Sequence, residues 1–147
     1  MYSKFGQFID GKWQPSQNNE TYDVINPATE EVIGKASKAG EEDVNKALKS
    51  AEKGLEIWRK TPPWQRSKII RKIADLMREK TEVLAKWLTL EVGKPLAEAA
   101  GEVGGAADIF EWNAEETKRI YGQIVESRFE NTRMYVKYDP VGVVAGL

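Results

Sequence analysis

Carboxylates near the end of a predicted helix are the first candidates for chemistry in this chain. Glu111 and Glu115 stand one helical turn apart with Glu116 beside them, a spacing that could pair carboxylates for general acid–base work. Lys118 and Arg119 follow closely enough to form ion pairs with these side chains. The pattern therefore predicts a paired surface cluster in preference to a catalytic pair.

The residue types that the chain lacks exclude most other catalytic chemistry. Its 147 residues include no cysteine and no histidine, which removes thiol nucleophiles, disulfides, serine–histidine triads and zinc sites built on thiolate or imidazole. The 22 Lys and Arg against 23 Asp and Glu give a net charge of -1, so neither nucleic acid nor an anionic membrane is expected as a partner. No stretch is typical of a secretion signal or membrane span, and we expect a cytoplasmic protein.

A basic cluster lies on a predicted long helix, with apolar residues between its members. Asp75 and Glu79 interrupt the cluster, which favours a solvated helix face over a nucleic-acid site. The cluster consists of Arg66, Lys68, Arg71, Lys72, Arg78 and Lys80.

A helix predicted from near Leu96 carries Gly101, Gly104 and Gly105 among alanines, although each glycine inside a helix costs about 1 kcal/mol relative to alanine. Close packing of another backbone against this bare face is the expected compensation. The alternative is that the bare face leaves space for a small ligand.

Three zones must position these residues. Residues 5–36 are predicted to form strands and turns, with a tight hairpin at Asp10-Gly11 and a second turn at Asn26-Pro27. Residues 41–122 are predicted to be helical, because apolar residues recur at helical spacing. The first of three helices ends near Trp58, the second follows Thr61-Pro62-Pro63 and stops at Gly93-Lys94-Pro95, and the third begins near Leu96. Thr61 is the predicted side-chain cap of the second helix.

The third zone, residues 123–147, returns to strands. Residues 133–138 alternate charged and apolar side chains, whereas residues 141–147 form a continuous apolar run typical of a strand buried on both faces of a parallel sheet. Such a strand needs neighbours brought by crossover connections, so we expect a truncated piece of a larger α/β enzyme. The alternative is a complete α+β domain whose last strand pairs with residues 133–138. The chain length predicts one domain that buries roughly two-thirds of its unfolded surface.

Four motifs in order resemble the amino-terminal portion of NAD(P)-dependent aldehyde dehydrogenases, from about Phe8 to Leu147. Residues 101–103, 111–116 and 118–122 look most like the succinate-semialdehyde dehydrogenase branch, although Asn113 stands where that branch has an aromatic residue. The four motifs are residues 8–13 (FIDGKW), 26–33 (NPATEEVI), 91–95 (EVGKP) and 140–144 (PVGVV).

The resemblance implies the N-terminal part of the α/β aldehyde dehydrogenase fold. That part has β-hairpins over 5–36, three helices over 41–122, an oligomerisation strand over 123–138 and the first strand of a Rossmann-like sheet over 140–147. A complete member oxidises an aldehyde through a cysteine thiohemiacetal, NAD or NADP takes the hydride, and a glutamate activates the hydrolytic water. The family's catalytic and nucleotide-contacting residues lie beyond the position of Leu147. The resemblance thus assigns no catalytic or cofactor-binding residue here, and the chain alone is expected to be inactive.

The resemblance also implies a site for a structural monovalent cation, K+ or Na+. Its ligands would be the backbone carbonyls of Val24 and Ile25 and the carboxylate of Glu91, because hard cations bind oxygen ligands. The alternative is that Glu91 caps a helix or forms an ion pair near its end.

The glycine-rich helix borders the aldehyde tunnel in the family, which implies that Gly105, Asp108, Ile109 and Trp112 line its entrance. Core packing is the expected role of Ile109 and Trp112 taken individually.

Residues 133–138 resemble part of the extension through which family subunits associate, which implies a homo-oligomer; a solvated alternating strand is the alternative. Two functions follow: the N-terminal portion of a dehydrogenase of an aldehyde such as succinate semialdehyde, or a non-catalytic binding or assembly module. The first should expose the apolar run over 141–147 and the second should cover it.

Overall fold

Three β-hairpins and four helices make up the architecture of residues 6–146, the part of the chain that this computed structural model describes. Phe5 and Leu147, at the ends of two predicted zones, lie outside the described residues. Within residues 6–146, every helix is too short or too polar to span a lipid bilayer. The elements are β1 (Gln7–Ile9), β2 (Lys12–Gln14), β3 (Thr21–Ile25), β4 (Val32–Ser37), α1 (Glu41–Trp58), α2 (Pro63–Glu79), α3 (Thr81–Val92), α4 (Leu96–Glu116), a 3-10 turn (Thr117–Arg119), β5 (Gln123–Glu126) and β6 (Arg133–Val136).

The first two hairpins form where turn chemistry predicts them. Strands β1 and β2 pair antiparallel around Asp10 (φ 53°) and Gly11 (φ 75°), which both have the positive φ that a tight hairpin requires. At the turn between β3 and β4, the Asn26 side-chain oxygen accepts the Ala28 N–H at 2.9 Å and its carbonyl accepts the Glu30 N–H at 2.8 Å. Both predicted turns are confirmed.

Helix α1 begins and ends as predicted, and a buried carboxylate fixes its start. Asp43 accepts hydrogen bonds from the backbone N–H groups of Gly40, at 3.0 Å, and Gln17, at 3.2 Å. The Gly40 bond is the main reason that the pKa of Asp43 lies below its ordinary value, and the Gln17 bond adds to it. The carboxylate thereby ties the loop after β2 to the first turn of α1.

The structure has four helices where the sequence predicted three, because the long second helix breaks at Lys80 (φ −105°, ψ 17°). The Thr81 hydroxyl donates to the carbonyls of Met77 and Arg78, at 3.2 and 2.9 Å, and so satisfies backbone groups at the end of α2. Thr61 does not cap α2 as predicted. Its hydroxyl donates backward to the Ile57 carbonyl of α1 at 2.9 Å.

The core is a seam of small side chains where α4 packs against α2 and α3. The solvent-accessible surface is 11587 Å², whereas a compact monomer of this mass exposes roughly 7,600 Å². Only about half of the unfolded surface is therefore buried, less than the predicted two-thirds, because many large apolar side chains face outward. The buried apolar residues are Ala74, Ala85, Ala99, Val103, Ala107 and Ala114.

The C-terminal zone contains one hairpin and an unpaired segment. Strand β6 begins at Arg133 as predicted, ends at Val136 and pairs antiparallel with β5. The strand predicted over 140–147 is not formed within residues 140–146, because none of the described strands pairs with it. The alternative pairing with residues 133–138 is also not observed there. Val141 is 92% exposed, so this apolar run is uncovered.

Candidate functional site

The four residues that the resemblance places beside the aldehyde share one face of α4. Gly105, Asp108, Ile109 and Trp112 stand at positions i, i+3, i+4 and i+7, which places them on one side of a helix. Ile109 is 64% exposed and Trp112 is 70% exposed. Core packing was the expected role of these two residues, and that prediction is wrong for the chain as described.

The glycines of α4 border open space. A Cβ built at Gly101, Gly104 or Gly105 would meet no atom of a neighbouring element within 4 Å. The expected close packing of another backbone against this face is therefore wrong for the described residues. The surface is bare, as the alternative of space for a ligand requires.

Arginines of α2 hold the adjoining side of α4. An Arg78 Nη2 atom donates to Asp108 Oδ1 at 2.7 Å and to Glu111 Oε2 at 2.6 Å. Arg71 bonds to Glu111 at 2.5 Å and to Glu115. These bonds join α2 to α4 beside the alanine seam, so the charged side chains hold the two helices together along its edge.

A shallow groove of about 360 Å³ lies beside this network. It brings the predicted entrance residues Asp108 and Trp112 next to the carboxylates Glu111 and Glu115. Its lining consists of Arg71, Asp108, Glu111, Trp112, Glu115 and Arg119.

The carboxylates of the groove are ionised partners of cations. Arg78, and secondarily Arg71, lower the pKa of Glu111, while Lys118 and then Arg71 lower the pKa of Glu115. A general acid needs the opposite shift, so these side chains are not suited to proton donation at neutral pH. The predicted surface pairing is confirmed, because Lys118 bonds to Glu115 and Arg119 bonds to Glu116 at 2.5 Å.

The sequence predicted a solvated helix face for Arg71 and Arg78 and did not predict their ion pairs with carboxylates of α4. A signal for them was present. The two arginines are seven residues apart, and Asp108 and Glu115 on the later helix are also seven apart, with Glu111 between them. Residues seven apart lie on one face of a helix, so these two sets of opposite charge can meet when the two helices pack together.

Acid is expected to weaken the contact between α2 and α4. Because the folded-state pKa of Glu111 lies below the ordinary value of 4.5, its stabilisation is complete above that value and is lost as pH falls through the lower folded-state pKa. The midpoint of thermal unfolding, followed by circular dichroism, should therefore fall as the pH drops below about 4.5. Glu111→Gln should flatten this dependence and lower the midpoint at neutral pH. Glu82→Gln changes an exposed carboxylate of α3 outside the network and should keep the wild-type profile; identical profiles for both variants would contradict the expectation.

The segments that would carry the cation ligands meet at Gly93. A Cβ on Gly93 would lie 2.9 Å from Pro27 Cγ, so the end of α3 touches the turn that follows Val24 and Ile25. The strand register shifts at this point, because Val24 opposes Gly34 whereas Ile25 opposes Val32. Within residues 6–146, no group of three or more Asp or Glu side chains is placed to hold a metal ion, so a site here would depend on carbonyl oxygens together with Glu91.

The hairpin β5–β6 is exposed along its whole length, and every one of its strand residues faces solvent. Its apolar side chains include Ile124 and Tyr135. Exposed strand edges are templates for pairing with another chain.

The chain is similar to known proteins along nearly its whole length. Residues 13–147 match the model of the aldehyde dehydrogenase family. The chain is 42% identical over 140 residues to the glutarate-semialdehyde dehydrogenase of Pseudomonas putida and 40% identical over 139 residues to the NADP(+) succinate-semialdehyde dehydrogenase of Escherichia coli. A crystal structure of succinate-semialdehyde dehydrogenase from Burkholderia pseudomallei matches with a TM-score of 0.83 at 37% identity, over 88% of this chain and 27% of that chain.

These matches cover nearly all of this chain but less than a third of each curated relative. Each of the two sequence alignments includes 95% of this chain, which spans only 29% of the length of the curated relatives that it matches. The matched part is N-terminal in those relatives.

Proposed function

Because this chain belongs to the aldehyde dehydrogenase family, we propose that it acts as the N-terminal portion of an NAD(P)-dependent semialdehyde dehydrogenase. The similarity to two semialdehyde dehydrogenases along nearly the whole chain carries the proposal. In it, NAD or NADP supplies the hydride acceptor, and the nucleophile and the water-activating carboxylate come from outside these residues. The chain itself contains no cysteine to act as nucleophile.

This chain contributes one side of the aldehyde entrance and the surfaces that contact other parts of the complete enzyme. The face of α4 with Gly105, Asp108, Ile109 and Trp112 borders the aldehyde entrance, and its exposure supports this role. The hairpin β5–β6 joins subunits of a homo-oligomer. The apolar segment over 140–146 becomes a strand when neighbouring strands pair with it. A cytoplasmic location remains a prediction from the sequence.

The substrate class follows from the relatives' names. Glutarate semialdehyde and succinate semialdehyde each carry a carboxylate at the end remote from the aldehyde. We therefore propose an aldehyde with a remote anionic group as the substrate of the complete enzyme.

A hybrid enzyme tests the proposal. This chain would replace the matching segment of the Pseudomonas putida glutarate-semialdehyde dehydrogenase, and formation of NAD(P)H from glutarate semialdehyde would be measured. The hybrid should be active and the isolated 147-residue chain inactive. Trp112→Ala in the hybrid should change KM more than kcat, whereas Trp64→Ala, which alters an exposed tryptophan of α2, should change neither. A soluble but inactive hybrid, or an active isolated chain, would overturn the proposal.

The cation site is a second part of the proposal, with Val24 and Ile25 supplying carbonyl oxygens and Glu91 a carboxylate. Thermal unfolding in K+ and Na+ should give higher midpoints than in choline at equal ionic strength, because a cation that binds only the folded state stabilises it. Glu91→Ala should abolish this difference and Glu82→Ala should keep it. If Glu91→Ala retains the wild-type response to both cations, the site should be dropped.

The alternative of a self-standing assembly module has less support. Such a module should cover its apolar C-terminal run, and Val141 and Val144 are exposed. This observation favours a chain whose surfaces are covered by further protein.

A further inference from the structure

Asp108 has two roles on the α4 face. It is one of the proposed entrance residues, and its carboxylate is 75% exposed. Among the described residues, the cation bonded to it is Arg78, at 2.7 Å. The guanidinium of Arg78 cannot turn away freely, because the same Nη2 atom also bonds to Glu111 at 2.6 Å.

The network around the groove is balanced in charge. Removing Arg78 alone would leave a net negative charge beside Trp112, four residues along the same helix face from Asp108. The four cations are Arg71, Arg78, Lys118 and Arg119, and the four carboxylates are Asp108, Glu111, Glu115 and Glu116.

Uncompensated charge matters for a substrate that is itself an anion. Like charges repel over roughly a Debye length, which is about 8 Å at physiological ionic strength. A semialdehyde that passes Asp108 brings its carboxylate within that range, whereas an uncharged aldehyde does not respond to the field.

We propose that Arg78 is a specificity-determining residue, which neutralises Asp108 at the substrate entrance so that aldehydes with a remote carboxylate can approach. The inference rests on the proposed placement of the α4 face at the entrance. It adds a residue of α2 to the determinants of substrate choice, although Arg78 itself lies behind the entrance and contacts it through Asp108.

Quenching of Trp112 fluorescence tests the charge directly, in the isolated chain and in the hybrid. The Trp112 signal is obtained as the difference from a Trp112→Phe protein. Arg78→Gln should lower the quenching constant for iodide about twofold at low salt, and leave quenching by uncharged acrylamide unchanged. Asp108→Asn in the Arg78→Gln background should restore iodide quenching. An unchanged iodide constant in Arg78→Gln would overturn the inference.

Kinetics of the hybrid enzyme test the consequence for substrates. The measured quantity is the KM for glutarate semialdehyde divided by the KM for pentanal, an uncharged aldehyde of the same length. Arg78→Gln should raise this ratio about threefold at roughly 0.01 M salt and have little effect near 1 M, where the Debye length is about 3 Å. Arg78→Lys should keep the wild-type ratio, and Asp108→Asn should lower it.

The results distinguish a failure of the proposed role of Arg78 from a failure of the proposed entrance. A salt-independent ratio in Arg78→Gln, or an unaltered ratio in Asp108→Asn, would overturn the role of Arg78 while Trp112→Ala still shifts KM for both aldehydes. If Trp112→Ala shifts neither KM, the proposed entrance itself is wrong and the role of Arg78 is overturned with it.

Discussion

Replacing Gly93 with alanine is expected to destabilise the chain by about 1–3 kcal/mol. Gly93 ends α3 in the left-handed region with φ 78°, where any residue with a Cβ is strained. That Cβ would also lie 2.9 Å from Pro27 Cγ and 3.6 Å from the Ala28 nitrogen. A proline ring cannot swing aside, so the turn between β3 and β4 would have to move away from the helices.

The matched control for Gly93→Ala is Gly101→Ala. Gly101 lies inside α4 with open space at its Cβ position, so alanine there should raise the free energy of unfolding by about 1 kcal/mol. Urea unfolding of the three proteins followed by far-UV circular dichroism measures both effects. Opposite signs are expected, and a shift of the same sign in both variants would contradict this account of Gly93.

The features that the sequence predicts well are those decided within a few residues. Asp10-Gly11 requires positive φ, and Asn26 bonds to its own turn, so both hairpins form from local chemistry. The amphipathic pattern of α1 and the prolines at the start of α2 similarly fix those helices.

The features that the sequence does not predict depend on contacts between distant residues. The pairing of Arg78 with Asp108 joins residues 30 apart in sequence, and it exists only because the alanine seam brings α2 and α4 together. The break at Lys80 had a local cue in Thr81, but apolar spacing continued across it and favoured one long helix. The family resemblance named the four candidate entrance residues, whereas their exposure is a tertiary property.

The apolar segment after β6 illustrates the same division. A continuous run of valines predicts a buried strand, but a strand forms only when a neighbour accepts its hydrogen bonds. Here Val143 and Val144 lie beside Ala51 and Leu55 of α1 in an open apolar groove. Both surfaces are apolar, so the composition of the segment indicates that it is suited to a buried position.

Ala107→Leu is expected to lower the free energy of unfolding by about 1–3 kcal/mol, and more if the helices cannot separate. Ala107 is fully buried on α4, where the helix packs between α2 and α3, and the nearby buried side chains are themselves alanines and a valine. The three added carbons have no space, so α4 must move outward or the leucine must adopt a strained rotamer. Urea unfolding measures the cost.

Movement of α4 should also be visible in the charge network, which gives this prediction a second readout. Arg78 bonds to Glu111 at 2.6 Å across the same interface, so displacing α4 would stretch that contact and reduce the loss of stability in acid. Ala97→Leu adds the same side chain at an exposed position of α4 and should change stability by less than about 0.5 kcal/mol. If both leucine variants unfold at the wild-type urea concentration, the seam is not tightly packed.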